Sequence, residues 1–501
     1  MNEVTASLRL FWPEVALTAG LLLVVLVDSF AGAARNTLNR ALTALTLLAA
    51  IGLLLRQPAE PASLWSGMLA SDPMATFFKL LLAAAALLLV LSFTFRNSSE
   101  LHGLGQGEFY ALLLALTLSN MLMATATDLV MLYLALEMVS IGSYVMVAYL
   151  KGDRESNEAS LKYLLFGAVS TGAMLYGLSL LYGFAGTTSL EGVRTALAAG
   201  TSDAGRLSLH LAALLVLAGF GFKTAAVPFH FWCPDAYQGA PTPVTAFLSV
   251  APKAAGFAVL LRFVVGGFGQ PGGGPWETSD AVSWAPLLML VSIVTMTWGN
   301  VAALTQTNMK RLLAYSSIAH AGYLMMGVVA LSDNGARGLL VYLLAYLVMN
   351  LGAFLVVLLV HHHEGSFDLR DWAGLHRRAP FLTGAMAVFL LSLMGIPPLV
   401  GFMGKLYVFA AVIEKGSPES MGMWWFAAVG AVNAAVAAYY YMRVLKTMMI
   451  DPEPEPKPAI SLAFADRAWL AALLLANVLP LLFWTRIEQW AQASLTLYAS
   501  R

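Results

Sequence analysis

Residues 221–244 read GFKTAAVPFHFWCPDAYQGAPTPV and interrupt an apolar run that begins near Leu209. Lys223 and His230 lie in a stretch otherwise suited to a membrane helix, and Pro228, Pro234, Pro241 and Pro243 break it. Proline removes a backbone donor and clashes with the preceding turn. In lipid, the backbone groups so freed must find partners inside the protein or in a water-lined cavity. An amine beside a forced break therefore predicts a polar gap inside a membrane domain.

The rest of the chain fits that expectation. Of its 501 residues, 59% are hydrophobic and only 11% charged, and mean hydropathy is +0.74. Soluble domains carry about 25% charged residues, enough to cover a surface; this chain could not. Lys plus Arg equals Asp plus Glu at 28 each, so no basic excess points to nucleic acid. The single Cys233 excludes an internal disulfide and any cysteine cluster. The first residues lack the basic segment and cleavage site of a signal peptide, so the first apolar run is expected to stay as a membrane helix.

A spanning helix needs about 20 predominantly apolar residues. Runs of that kind fall near 11–28, 39–55, 73–95, 108–125, 128–150, 158–183, 207–227, 241–265, 284–304, 309–331, 336–360, 381–413, 423–446 and 463–484. The expected fold is an all-α polytopic membrane protein of about fourteen helices. The twelfth run is broken like the seventh, at MGIPPLVGFMGK (394–405), by Gly395, Pro397, Pro398, Gly401 and Gly404. Paired interruptions at corresponding places point to inverted repeats around a mid-membrane ion site. The expected organisation is three leading helices in 1–107 and a first repeat in 108–265 with its break near 227–243. A second, inverted repeat follows in 266–450 with its break near 394–405, and 451–501 holds a loop and the last helix. Each repeat has five helices. Basic residues favour the loops that would face inward if both termini lie outside, as in Arg35, Arg40, Arg96, Arg377 and Arg378.

Among the basic residues within the runs, seven are singled out: Lys79, Lys162, Lys223, Lys253, Arg262, Lys405 and Arg443. Each charge at mid-helix costs at least ~2.5–3.5 kcal/mol on the insertion scale and needs a reason. Lys79, Arg262 and Arg443 lie toward span ends, where snorkelling to the interface suffices. Glu137 and Lys253 lie too deep for that. Lys223 precedes the first break and Lys405 follows the second, whereas Lys162 is shallow enough for either a snorkelling or a functional role. A buried lysine carries protons when burial brings its pKa toward neutrality; the plainer alternative for each is a structural ion pair. His230 and His320 could relay protons or could be satisfied core histidines. The run HHHE (361–364) could suggest a metal site, but consecutive histidines do not share a helix face; at an inner helix end, it is expected to be a solvated loop.

The segments KTAAVPFHFWCPDAYQGAPTPVTAFLSVAPKAAGF, NMKRLLAYSSIAHAGY and GIPPLVGFMGKLYVF resemble the antiporter-like membrane subunits of respiratory complex I, which are related to Mrp-type cation/proton antiporters. The resemblance covers nearly the whole chain. Fourteen spans and a lysine at position 405 fit the N-type branch of that family, since the other large branches usually carry glutamate there. The resemblance implies a proton-translocation role for Glu137, Lys162, Lys223, Lys253 and Lys405. It pairs Glu137 with Lys162, makes Lys253 the link between two half-channels, and places His230 and, less directly, His320 along the polar axis. It further implies a subunit of an NADH:quinone oxidoreductase in a bacterial inner membrane, held among other membrane and peripheral subunits. This chain would then carry no redox site, metal or cofactor; NADH, FMN, iron–sulfur clusters and quinone would belong to partner subunits. The residues alone leave open a subunit of an Mrp-type antiporter or membrane-bound hydrogenase, a structural scaffold with charges as helix glue, and an autonomous solute transporter.

Overall fold

The computed structural model describes residues 3–30, 35–101, 103–200, 202–270, 272–416, 421–453 and 457–497. Part of the proline-stiffened loop 451–458 lies outside these residues. After the short α1 (Glu3–Leu10) come α2 (Trp12–Phe30), α3 (Arg35–Leu54), α4 (Pro73–Ser92), α5 (Gln106–Thr125), α6 (Leu129–Val147) and α7 (Arg154–Ala185). A surface helix α8 (Leu190–Ala198) leads to α9 (Asp203–Thr224), α10 (Trp232–Gly239), α11 (Thr242–Arg262), α12 (Trp284–Ala303), α13 (Met309–Val329) and α14 (Asp333–Glu364). The chain closes with α15 (Leu375–Arg378), α16 (Pro380–Met394), α17 (Val400–Lys415), α18 (Met421–Met449), α19 (Phe464–Val478) and α20 (Trp484–Ala493). One small hairpin, β1 (Ala62–Leu64) with β2 (Leu69–Ser71), pairs Ala62 with Ser71.

Thirteen helices among the described residues are long and apolar enough to cross a membrane. The twelfth crossing is made by α16 and α17 in sequence, each too short to span alone. That gives fourteen crossings. The helices α5, α6, α7, α9–α10 and α11 form one block of five, and α12, α13, α14, α16–α17 and α18 form another. In each block the fourth crossing is the interrupted one. Because five is odd, the second block starts on the side of the bundle opposite to the first.

Two of the three span-end cations, Lys79 and Arg262, do not snorkel, whereas Arg443 is half-buried against the end of α12. Lys79 is 1% exposed and meets Glu14, itself fully buried, at 2.6 Å. Arg262 is 1% exposed and grips Asp72 through two hydrogen bonds of 2.7 and 3.0 Å, while its Nε donates to the Ala124 carbonyl. Arg443 donates to the carbonyls of Leu304 and Gln306, both at 2.5 Å. The physical reason is that neighbouring helices cover Lys79 and Arg262, so a carboxylate replaces water at each. The first two pairs join α2 to α4 and α4 to α11, and so fasten the leading helices to the first block. Removing one partner of a buried ion pair costs about 3–5 kcal/mol, because the other charge is left behind. Lys79→Met should therefore lower the thermal stability of the solubilised protein sharply. Adding Glu14→Gln should recover most of the loss; a double variant no more stable than Lys79→Met would overturn the pairing.

The HHHE run is also helical, forming the last turn of α14. His361 stacks on Phe367 with 3.9 Å between ring centres, so the helix extends one turn beyond the apolar run because an aromatic ring covers its end. Nearby, Glu100 caps α11 by accepting from the Thr242 N–H at 2.9 Å and faces Lys310 at 3.3 Å. Burial raises the Glu100 carboxyl pKa, but the Lys310 ammonium and the Thr242 donor outweigh it and hold the group below its ordinary value.

Candidate functional site

The first break follows Thr224. Ala225 adopts a left-handed conformation (φ +60°), and the chain turns through Ala226–Phe231 before α10 begins. Its backbone groups are not left bare: Trp232 Nε1 donates to the Phe222 carbonyl at 3.0 Å, and the Val227 N–H donates to Thr295 Oγ1 at 3.0 Å. Lys223, the penultimate residue of α9, is buried and donates to Ser140 Oγ of α6 at 2.8 Å. Ser140 stands three residues after Glu137, one helical turn away on the same helix. Glu137 is half-buried on a face that also exposes Leu134, Met138 and Ile141.

From Lys223 the line continues into α11. A Cβ at Gly256 would come within 3.2 Å of Lys223 Cγ, so a glycine lets the lysine stem lie directly against the helix that carries Lys253. Lys253 is buried and donates to the Ser317 carbonyl at 2.6 Å and to Ser317 Oγ at 2.5 Å. His320, three residues further along α13, shares hydrogen bonds with the hydroxyls of Tyr342 (2.8 Å) and Tyr441 (3.3 Å). Three residues beyond that, the Tyr323 ring lies 4.8 Å from Lys405 Nζ. Ser317, His320 and Tyr323 thus occupy one stripe of α13, rising about 4.5 Å per step. That stripe joins Lys253 to Lys405.

The second break is built around Lys405. Gly395 ends α16 in the left-handed region (φ +88°), where a Cβ would lie 2.9 Å from Lys405 Cδ. With no side chain there, Lys405 Nζ reaches back to donate to the Met394 carbonyl at 2.8 Å. This carbonyl is one of those freed at the end of α16. Gly401 is tighter still, since the Ser392 carbonyl already occupies the space a Cβ would need. The two half-helices consequently touch backbone to backbone.

Lys162 stands elsewhere. It is 41% exposed and pairs with Asp235 at 2.9 Å and with Glu158 at 3.0 Å. No ion pair joins it to Glu137 among the described residues, so the expected Glu137–Lys162 pairing is corrected. The reason lies in the first break, which swings α10 back against α7 and brings Asp235 within reach. Asp235 also accepts from Arg311 at 2.5 Å. These side chains line an open cavity of about 130 Å³ that Glu155 and Gln238 complete. His230 is buried beside the break, and its Nδ1 has no hydrogen-bond partner among the described residues. It lies 5.9 Å, ring to ring, from Trp298 and joins none of the links between Lys223 and Lys405.

The groups not singled out from sequence are Ser140, Ser317, Tyr323, Tyr342, Tyr441 and Asp235. Only the spacing Ser317–His320–Tyr323, at i, i+3 and i+6, could have revealed part of them. The arrangement is a set of buried amines, hydroxyls and one imidazole spread between the two breaks, with Lys223 and Lys405 each beside one of them. Such a set can hold and pass protons.

Residues 126–436 match the family described as NADH:quinone oxidoreductase/Mrp antiporter, transmembrane. The chain belongs to that family. A family member from Anaeromyxobacter sp., NADH-quinone oxidoreductase subunit N, is 46% identical over 99% of this chain and 98% of its own length. NADH-quinone oxidoreductase subunit N 2 of Chloroherpeton thalassium is 41% identical over 97% of this chain and 94% of its own. Among solved structures, a chain of respiratory complex I from Thermus thermophilus with bound aureothin superposes with a TM-score of 0.77. It shares 33% identity and covers 95% of this chain and 98% of its own. Like these antiporter-family proteins, this one is a multi-pass membrane protein.

Proposed function

We propose that the chain is the N-type, proton-translocating membrane subunit of an NADH:quinone oxidoreductase. The observation that carries this is the set of buried polar side chains between the two helix breaks: Lys223, whose stem packs at Gly256 of α11, then Lys253, Ser317, His320, Tyr323 and Lys405. The end-to-end similarity to subunit N proteins supports the oxidoreductase over a free-standing antiporter. As a subunit of that complex it would convert redox energy released elsewhere into charge movement. NADH, FMN, iron–sulfur clusters and quinone would be held by its partners.

In this reading the blocks 108–265 and 266–450 are two half-channels. Protons enter from the cytoplasm past the cavity of Lys162, Asp235 and Arg311, reach Lys223, cross through Lys253 and α13 to Lys405, and leave on the side of the termini. Both termini then face outward in a bacterial inner membrane. Glu137 works as the mobile counter-charge of Lys223: drawn toward Lys223 it favours the ammonium, and drawn away it favours proton release. His230 serves as an accessory group at the first break.

Glu137→Gln tests this. It removes the charge and keeps the shape, so the complex should assemble while NADH-driven proton uptake into inverted membrane vesicles falls several-fold. Uptake per assembled complex equal to wild type would sink the proposed role. Normal uptake driven by a sodium gradient in place of NADH would instead favour an antiporter.

A further inference from the structure

Away from the proton line, the end of the bundle where α3 begins and α4 stops holds two neighbouring cavities of about 350 and 300 Å³ that share Arg96. Arg35 and Asn36 line the first, and Arg40 and Asn97 line the second. His362 and His363, from the last turn of α14, also face the second cavity. Arg40 is anchored, donating to the Val90 and Leu91 carbonyls at 3.1 and 3.0 Å. Arg96 is exposed, and among the described residues no hydrogen bond or ion pair takes up its guanidinium. One carboxylate, Asp466, faces the second cavity and is held by Asn97 at 2.9 Å. Three arginines against one aspartate leave the place cationic.

The surface that leads to it is apolar. Along α4, Thr76, Leu80, Ala84, Leu87, Leu88 and Leu91 form a single half-exposed stripe while the rest of the helix after Pro73 is buried. α4 packs between α3 on one flank and α19 on the other. Both flanks expose large apolar side chains, Leu45 and Leu48 on α3 and Phe464 and Leu475 on α19. The stripe ends at Leu91, which itself lines the cationic cavity. Trp469 stands at the same level, where an indole is at home between hydrocarbon and water.

An apolar stripe the length of a membrane helix, ending at three guanidinium groups of which Arg96 is unpaired among the described residues, matches a molecule with the same division. We infer that this groove holds a phospholipid with an anionic phosphate headgroup, its acyl chains along the α4 stripe and its phosphate between Arg96, Arg40 and Arg35. Arginine suits phosphate because its planar fork presents paired donors. A basic pocket between membrane helices on the cytoplasmic side is where such headgroups bind. Charge complementarity favours a lipid over an apolar segment of a neighbouring protein, which would bury Arg96 without an anion.

The test uses the intact membrane complex containing this chain, exchanged into nanodiscs of phosphatidylglycerol or of phosphatidylcholine. Native mass spectrometry should find phosphatidylglycerol retained by the wild type. Arg96→Gln should weaken that retention about 5-fold, the effect of one basic group at a lipid headgroup, and Arg96→Gln with Arg35→Gln should weaken it further. Arg96→Lys should keep most of it. Each variant is judged against its own melting temperature in phosphatidylcholine, so a folding defect is not mistaken for lost binding. Equal retention of the two lipids, or equal retention by wild type and the double variant, would overturn the proposal. So would competition by millimolar inorganic phosphate alone, which would mark a free-anion site. Cross-linking of Arg96→Cys to a neighbouring subunit would show that protein covers the groove, and would overturn it too.

Discussion

Lys223→Met is expected to assemble normally and to lose coupled turnover by about 100-fold, the lower end of what a positioned proton-transfer group contributes. Methionine keeps a long, flexible side chain but cannot hold a proton. The fold should tolerate it, because Ser140 Oγ, which accepts from Lys223, also donates to the Leu136 carbonyl at 2.7 Å and is not orphaned. Removing a costly buried charge could even stabilise the bundle. Lys223→Arg should rescue little. Arginine stays protonated, and the stem at this position already lies at close contact range of where a Gly256 Cβ would be. The deciding quantity is NADH-driven proton transport per assembled complex. Wild-type transport in the methionine variant would remove Lys223 from the mechanism.

The second large effect is expected at Lys405, where the surroundings separate hydrogen bonding from titration. The amine donates to the Met394 carbonyl and lies against the Tyr323 ring, so the site selects a donor. Lys405→Gln supplies a donor that does not titrate. Lys405→Glu supplies a group that donates to the same carbonyl only when protonated and can then release that proton. The expected order of transport is wild type, then Glu, with Gln and Ala both far lower. A glutamine variant as active as the glutamate variant would mean that Lys405 only braces the break.

Much of this site could be read from the chain because lipid makes polar residues conspicuous. Lys223, Lys253, Lys405 and Glu137 stand out in apolar runs, and Pro228, Pro397 and Pro398 mark the breaks without any knowledge of packing. The partners were harder to see for opposite reasons. Tyr342 and Tyr441 look like ordinary apolar filling until His320 is seen between their hydroxyls. Glu14 and Asp72 sit in first turns or caps, where acids are common at any helix start, and nothing in the sequence ties them to Lys79 or Arg262. Lys162 failed differently. Its partner depends on how far the first break turns the chain, and proline content reports a break but not an angle.

The α13 stripe has a kinetic consequence. If protons take the proposed route, Ser317, His320 and Tyr323 act as resistors in series on one rod, and current through a series circuit is set by its worst element. Severing any one of them should throttle flow nearly as far as severing all three, so penalties from paired substitutions there would fall well short of their product. A small rotation of that single rod would likewise disconnect both amines at once, making α13 the natural place for the complex to install an on–off valve.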